Sequence, residues 1–428
     1  MAMSSIDNKL ALYGGQSTIQ NKLKYEWPKI APEDNAYISE VLNRGEISYN
    51  VQTDEIDKLE ENFREYLQVP YCLALNSGTS ALFLAFLALG LKAGDEVIAP
   101  TYTYPASIMP LLHLGVKPVF VDSGANSPLT TVELIEQKVT DKTKAIIVSH
   151  MDGYAANLIG IEKLATKYNC YIIEDCAQSL GASYKGKLTG TVGDMSIFSL
   201  QQKKLVTGGE GGILVTKNKT LYEKCILLSY LVIRSEKDVT DSELRPYFST
   251  GLGFNFRIHP LAAALANTQF PKMEQNLSSR RRVLLKLSNK MKELKSIKMP
   301  EIEGDIVESS FYSFKVLYCP STVGNLPISI FIEALNAEGV PIFKSITRPL
   351  HIEYIFKKDN REFLLRNFQS DAFIIDESDE YPNSEDYFNR ALRLPPYFEI
   401  SDSDIDLIIN AFKKVENNID QLKKRMEK

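Results

Sequence analysis

The sequence predicts an α/β fold, with a mostly parallel sheet of seven strands in a large domain and a small α+β domain at the carboxyl end. Three observations support this prediction. The 428 residues are enough for about two to three domain-sized units. In residues 71–215, short runs that are apolar throughout alternate with helix-like segments, which is typical of strands covered on both faces of a parallel sheet. Further on, a strand-like run at Ser310–Tyr318 is followed by helix-like segments at Ser329–Glu338 and Ser403–Arg425.

The predicted strands and helices of the large domain follow one another along the chain. The seven strands are Tyr71–Leu75, Glu96–Ala99, Val116–Val121, Lys144–Ser149, Cys170–Glu174, Met195–Leu200 and Gly212–Val215. The helices among them are Ser80–Leu91, Pro105–Leu114, Thr131–Lys138 and Leu158–Lys167. Ligands in such sheets bind beyond the carboxyl ends of the strands. We therefore expect the functional site in the loops that begin near Asn76, Pro100, His150 and Asp175.

We divide the chain into an amino-terminal arm and helix (1–50), a large domain (51–275) and a small domain (276–428). Pro271 separates the helix-like segments Leu261–Phe270 and Lys272–Leu294, because proline breaks or kinks a helix. The second segment is expected to bridge the two domains. Trp27, the single tryptophan, is interpreted as a packing anchor for the arm.

Composition excludes several classes of protein. Lysine plus arginine number 49 and aspartate plus glutamate 54, so the net charge is −5, which argues against binding to nucleic acid or to a membrane surface. No apolar run is long enough to span a bilayer, and the amino terminus lacks a secretory pattern. Five cysteines without CxxC spacing predict neither disulfides nor a zinc site, so we expect no metal and a cytoplasmic location.

Asn76–Ser80 joins a strand to a helix through Gly78 and small hydroxyl residues. The backbone N–H groups at such a helix start can bind a phosphate. By itself the pattern is weak, because serine or threonine with glycine caps many helices.

Asp175 follows the strand that ends at Glu174, a position suited to meeting a cationic ligand atom. A helix cap or a surface carboxylate is the alternative interpretation. Gln178, three residues later, is expected to face the same cleft.

Lys203 and Lys204 precede the glycine-rich stretch Gly208–Gly212. A partly buried lysine can act as a nucleophile toward a carbonyl and form a Schiff base, although adjacent lysines are more often simply solvated. A phosphate-binding turn, a carboxylate and a lysine together meet the needs of pyridoxal phosphate, which has a phosphate, a ring nitrogen and an aldehyde.

Five ordered blocks resemble the DegT/DnrJ/StrS-type sugar aminotransferases, which are pyridoxal phosphate enzymes of fold type I, the aspartate aminotransferase-like group. The blocks are Asn76–Leu82, Asp95–Tyr104, Glu174–Ala182, Gly193–Gly212 and Gly253–Ala263. The resemblance implies a pyridoxal phosphate-dependent transaminase of amino sugar or antibiotic biosynthesis.

The resemblance also implies roles for individual residues. Lys204, five residues after Ser199, corresponds to the Schiff-base lysine and the acid–base catalyst, and Asp175 pairs with the pyridine nitrogen. Gly78, Thr79 and Ser199 bind the phosphate. Tyr104 stacks on the ring, and Gln178 lies near its hydroxyl group. Asn255 reaches the phosphate of the other subunit, which implies a homodimer with shared sites.

Gln201-Gln202 is similar to the branch of the family that acts on keto cyclitols such as scyllo-inosose, with glutamine or glutamate as donor. A nucleotide-linked keto sugar is the alternative acceptor, and a non-catalytic regulatory protein that binds the cofactor is the alternative of another class. Asp152 departs from the family pattern and is a candidate substrate contact. Further candidates for substrate binding are Tyr49, Asn50, His150, Arg348 and His351, and for His150 a structural hydrogen bond is the alternative.

Overall fold

The computed structural model describes residues 8–45, 47–49, 54–229, 232–251, 253–302, 307–356 and 379–425. Within these ranges the chain forms a seven-stranded sheet, a four-stranded sheet and a small three-stranded sheet. The strands of the seven-stranded sheet are β1 (Tyr71–Leu75), β2 (Glu96–Pro100), β3 (Lys117–Val121), β4 (Thr143–Ser149), β5 (Tyr171–Asp175), β8 (Met195–Ser199) and β9 (Gly212–Thr216), while β6 (Ser183–Tyr184) and β7 (Lys187–Leu188) form a short hairpin.

The order of the strands in the large sheet is β1-β9-β8-β5-β4-β2-β3. Strands β8, β5, β4, β2 and β3 pair in parallel, and β9 is antiparallel to both of its neighbours, β1 and β8. The predicted mostly parallel, seven-stranded sheet is therefore confirmed.

Helices cover this sheet and extend beyond it. They are α1 (Pro32–Asn43), α2 (Asp54–Leu67), α3 (Gly78–Ala88), α4 (Met109–His113), α5 (Val132–Glu136), α6 (Leu158–Tyr168), α7 (Lys219–Leu228), α8 (Val232–Asp238), α9 (Pro260–Gln269) and α10 (Met273–Met291). A short 3-10 turn, Phe270–Lys272, lies between α9 and α10 at the predicted Pro271 break. The proposed boundary at residue 275 falls inside α10, which continues into the carboxyl-terminal part of the chain.

The carboxyl-terminal part contains an antiparallel sheet in the order β10-β12-β14-β13. Its elements, with β11 of the three-stranded sheet, are β10 (Ile297–Lys298), β11 (Val307–Glu308), β12 (Phe314–Tyr318), α11 (Ile328–Ala337), β13 (Phe343–Lys344), α12 (Pro382–Arg390), β14 (Ala391–Leu394), α13 (Asp402–Asn417) and α14 (Ile419–Lys423). Residues 350–352 and 354–356 form two 3-10 turns.

The amino-terminal arm packs against this carboxyl-terminal part. Leu10, Ile19 and Leu23 are buried in the same apolar cluster as α11 and α13. The buried carboxylate of Glu338 accepts hydrogen bonds from the Ala11 and Thr18 N–H groups, at 2.7 and 3.0 Å, and lies 3.0 Å from Lys414 Nζ. This arrangement leads the chain past the carboxyl edge of the large sheet, where Trp27 lies beside Lys204.

Candidate active site

A cavity of about 460 Å³ opens at the carboxyl ends of the parallel strands, where the sequence placed the site. Eight of the predicted site residues line it: Gly78, Thr79, Tyr104, His150, Asp175, Gln178, Ser199 and Lys204. Tyr312, which follows β11 along the chain, lines it too. The cavity therefore brings together residues from the large sheet and from the carboxyl-terminal part of the chain.

The start of α3 forms one wall of the cavity. The Ser77 hydroxyl accepts a hydrogen bond from the Ser80 N–H at 3.0 Å and so caps the helix. The first N–H groups of a helix have no carbonyl partner within it, and the helix dipole favours an anion there. Strand β9 passes directly beneath this turn, since a Cβ atom on Gly212 would lie 2.3 Å from the Ser77 carbonyl carbon. Only glycine fits at residue 212 without moving this turn.

Two carboxylates at the end of β5 face opposite sides, because side chains alternate along a strand. Asp175 lines the cavity, where Oδ2 accepts a hydrogen bond from Ser107 Oγ at 2.6 Å and Oδ1 accepts one from the Ala177 N–H at 3.0 Å. An ionised carboxylate has about four acceptor positions. Asp175 therefore keeps acceptor capacity for a ligand.

Glu174 is fully buried on the other side. Its oxygens accept hydrogen bonds from the N–H groups of Gly190, Val192 and Gly193 and meet the imidazole of His150. Burial alone would raise the pKa of Glu174, but the interaction with His150 and the bonds from the Gly190 and Gly193 N–H groups outweigh it and hold that pKa below its usual value.

His150 borders the cavity, but both of its ring nitrogens are occupied by the protein. Nδ1 accepts the Ala156 N–H at 3.1 Å, so Nε2 carries the proton and donates it to Glu174 Oε2 at 3.0 Å. Neither ring nitrogen is left to bind a substrate. His150 therefore makes structural hydrogen bonds, which was the alternative interpretation. His150, Glu174 and Cys176 could group around a metal ion, but Glu174 already receives bonds on both oxygens, so we interpret the cluster as structural.

Lys204 is half-buried, and its amine lies 4.1 Å from the centre of the Tyr312 ring. Its carbonyl oxygen accepts a hydrogen bond from the Trp27 indole at 3.0 Å. Trp27 also packs edge-on against Phe398, as expected for a packing anchor. In addition, its hydrogen bond holds the backbone of Lys204 in place. Lys203 lines the cavity as well, but it is exposed.

Asp152, the candidate substrate contact, is buried. Its Oδ1 lies 2.7 Å from Lys315 Nζ, and its Oδ2 accepts a hydrogen bond from the Tyr387 hydroxyl at 3.2 Å. The suggested role is therefore wrong for its side chain. Its N–H donates to Gln178 Oε1 at 2.9 Å instead.

Like Asp152, four further predicted residues do not line this cavity. Asn255 is exposed, and its side-chain oxygen accepts a hydrogen bond from Arg257 Nε at 2.9 Å. Tyr49 is half-buried, and burial raises its pKa to about 12. His351 bridges Thr101 and Glu385, and Arg348 pairs with Glu353. The fifth, Asn50, falls outside the described residues.

Ser107 and Tyr312 were not predicted as site residues. Ser107 lies within a chain of buried hydroxyls, since it is 2.9 Å from Thr103 Oγ1, which donates to Ser149 Oγ at 2.8 Å. The sequence signal for Ser107 was its position in the loop that begins near Pro100, where the site was expected. Nothing near Tyr312 in the sequence marks it, because it meets the cavity only through the packing of distant segments.

The model of the DegT/DnrJ/EryC1/StrS aminotransferase family matches residues 28–413. This chain belongs to that family. It is a pyridoxal phosphate-dependent aminotransferase, and the match supports transfer of an amino group to a small-molecule sugar.

Relatives of this aminotransferase include proteins named for each of the two acceptor classes. GDP-perosamine synthase of Escherichia coli O157:H7 is 38% identical over 60% of this chain and 68% of that protein. L-glutamine:2-deoxy-scyllo-inosose aminotransferase of Streptomyces fradiae is 28% identical over 95% of this chain and 97% of that protein. The keto-cyclitol branch is thus only one possibility.

Solved structures share the fold of this aminotransferase. The aminotransferase from Psychrobacter cryohalolentis superposes with a TM-score of 0.78 at 27% identity, covering 92% of this chain and 99% of that one. Within the described part of the chain, none of the helices combines the length and the apolar character that a bilayer crossing requires.

The cavity of this aminotransferase suits pyridoxal phosphate. The start of α3 offers N–H donors for an anion, Asp175 offers acceptor positions for a protonated nitrogen, and Lys204 offers an amine for an aldehyde. All three groups border one cavity, so the residues present fit the cofactor.

Proposed function

We propose that this protein transfers an amino group from glutamate or glutamine to a keto sugar or keto cyclitol. One observation carries the proposal: Lys204, Asp175 and the helix start at Gly78 line the same cavity. An amine, a carboxylate and an anion site in this arrangement are what the cofactor of a transaminase requires.

The cofactor-binding residues are proposed from this arrangement. Gly78, Thr79 and Ser199 would hold the phosphate group, and Asp175 the protonated ring nitrogen. Gln178 would face the ring hydroxyl group. Tyr104, a residue at the cavity that is 62% exposed, offers a ring face for stacking.

Bound pyridoxal phosphate supplies an electron sink for the negative charge that develops when the α-proton of the donor leaves. Lys204 takes that proton with its amine and later returns one, as general base and then general acid. The face of Tyr312 beside the amine and the bond from Trp27 to the Lys204 carbonyl orient this group. The carboxylate of Asp175, held by Ser107 and Ala177, would pair with the protonated ring nitrogen.

We also propose a homodimer with shared sites. Asn255 is exposed and does not line the cavity of its own protomer, and Phe254 beside it exposes 44% of its surface. A second copy would cover such apolar surface and bring Asn255 to the partner's phosphate site. Tyr49, Asn50, Arg348 and His351 stay predictions for substrate binding, and a cytoplasmic location stays a prediction supported by five free cysteines.

Two acceptor classes have specific support. Gln201 lines the cavity, and the Gln201-Gln202 pair favours a keto cyclitol. The 38% identity to a GDP-perosamine synthase favours a nucleotide-linked keto sugar instead.

A panel of keto cyclitols, free keto sugars and nucleotide-linked keto sugars, each with glutamine and with glutamate, tests the proposal. Mass spectrometry should detect an aminated product from one acceptor class. Turnover with nucleotide-linked ketones alone would rule out the cyclitol branch. No aminated product with any acceptor, from protein whose visible cofactor band responds to the donors, would rule out the whole acceptor class proposed.

A further inference from the structure

Asp152 has an unusual backbone conformation directly beside the cavity. It follows His150 in the short turn Met151–Gly153, with φ 58° and ψ 6°. This left-handed region costs most residues about 1–2 kcal/mol, and aspartate and asparagine tolerate it better than others. Gly153, the next residue, packs so closely that a Cβ atom would lie 2.6 Å from the backbone nitrogens of Phe311 and Tyr312. The turn is therefore fitted against the segment that carries Tyr312.

The side chain of Asp152 is anchored by residues from the carboxyl-terminal part of the chain. Lys315 Nζ lies 2.7 Å from Oδ1, and the Tyr387 hydroxyl donates to Oδ2. Lys315 is itself buried, and its amine also donates to the Tyr102 hydroxyl at 3.0 Å. Burial alone would lower the pKa of Lys315, but the charge of Asp152 outweighs it and raises that pKa.

The backbone of Asp152 contacts a residue of the cavity. Its N–H donates to Gln178 Oε1 at 2.9 Å. A backbone N–H is only a donor, so the oxygen of the amide must face it, and the NH₂ group is the part of Gln178 left for a ligand. Gln178 lines the cavity.

We propose that Asp152 is a positioning residue: its anchored turn fixes the Gln178 amide so that the NH₂ group meets the ring hydroxyl oxygen of the cofactor. The inference rests on the proposed function. A donor at this oxygen stabilises its ionised form and lowers the pH at which the visible absorption band of the bound cofactor titrates. Loss of the donor raises that pH.

The test is a pH titration of the visible band in purified holoenzyme. Gln178→Ala should raise the midpoint by about one pH unit, as expected for one hydrogen bond. Asp152→Ala should raise it in the same direction, and the double variant should add nothing further, because both changes remove one interaction. Asp152→Asn is the matched control, since asparagine tolerates the left-handed backbone and its side-chain oxygen can still accept a hydrogen bond from Lys315. Its midpoint should stay near the wild-type value.

Some results would overturn the inference. A wild-type midpoint in Asp152→Ala beside a shifted one in Gln178→Ala would remove Asp152 from this role, as would full additivity in the double variant. An unmoved midpoint in Gln178→Ala would refute both the role of Gln178 and the inference. A wild-type protein with no visible band after reconstitution would instead contradict the proposed function itself.

A second variant covers the case in which Asp152→Ala does not fold. Asp152→Asn/Lys315→Met removes both buried charges together and leaves none unpaired. It should bind the cofactor with a midpoint raised above that of Asp152→Asn alone. Identical midpoints in these two variants would show that the contact from Lys315 does not hold the turn and would sink the inference.

Discussion

The two sides of the carboxyl end of β5 differ in how fully their polar groups are satisfied. On the interior side, Glu174 is buried and receives bonds from three backbone N–H groups and from His150. On the cavity side, the bonds that the described residues make to the Asp175 carboxylate come from Ser107 and Ala177. Both residues are acidic and adjacent in sequence, so their types alone do not distinguish them.

The comparison shows how alternation along a strand separates structure from chemistry. A carboxylate whose acceptor positions are filled by its own protein stabilises the fold and cannot bind a ligand. A carboxylate that keeps unfilled acceptor positions can bind one. Changes on the cavity side should therefore reduce turnover at nearly constant stability, and changes on the interior side should do the reverse.

The largest expected effect is on the cavity side, at Lys204. Lys204→Ala removes the amine that moves the proton, so kcat should fall by about 10⁴-fold or more, while the melting temperature stays close to that of the wild type. Steady-state kinetics and calorimetry measure the two quantities. Lys203→Ala is the control, because this neighbouring lysine is exposed and should keep most of the activity. Equal losses in the two variants would contradict the assignment of Lys204.

Asp175→Asn should come next. It keeps the shape of the side chain but removes the charge proposed to face the ring nitrogen, so kcat should fall about 10²- to 10³-fold with little change in stability. Kinetics together with a urea unfolding curve measure both effects. A large loss of stability with normal turnover would show that Asp175 has a structural role like that of Glu174.

Glu174→Gln tests the interior side. The amide cannot accept from all the donors around it, so the free energy of unfolding should fall by about 3 kcal/mol, while folded enzyme keeps near-normal kcat. Urea unfolding monitored by fluorescence gives the change. If kcat falls as far as in Asp175→Asn, the two sides do not have separate roles.

The same variant has a pH signature. Because the pKa of Glu174 is lowered in the folded protein, its contribution to stability is complete above the ordinary glutamate value of about 4.3 and is lost as the pH falls through the lowered folded pKa. The difference in stability between wild type and Glu174→Gln should therefore shrink on acidification below about pH 4. Unfolding curves at a series of pH values check this, and a difference that grows would contradict it.

The smallest effect is expected for Ser107→Ala. It removes one of the two donors that hold Asp175, so kcat/KM should fall about tenfold, which corresponds to one hydrogen bond to a charged group. Ser107→Thr, which retains the hydroxyl, should recover part of the loss. Full activity in Ser107→Ala would show that Ala177 alone positions the carboxylate.

Much of the fold could be predicted because its signals are local. The seven strands of the large sheet are apolar runs, and each end of each strand lies within one residue of its predicted position. Helix α2 was not predicted, although Ile56, Leu59, Phe63 and Leu67 are spaced to form one buried face. The two-residue strands β10 and β13 carry no such signal, because they are too short for periodicity and exist only through their partners.

The cavity residues also divide into those whose place follows from local sequence and those whose place depends on tertiary packing. Gly78, Asp175 and Lys204 stand where a strand ends or a glycine-rich loop begins, so the sequence by itself determined their place at one edge of the sheet. Only the tertiary structure decided that His150 and Asp152 are occupied by Glu174 and Lys315. It also brought Trp27 and Tyr312 to Lys204 from distant parts of the chain. The reason is physical. A few consecutive residues determine where a strand ends, whereas burial and hydrogen-bond satisfaction depend on which distant segments pack against it.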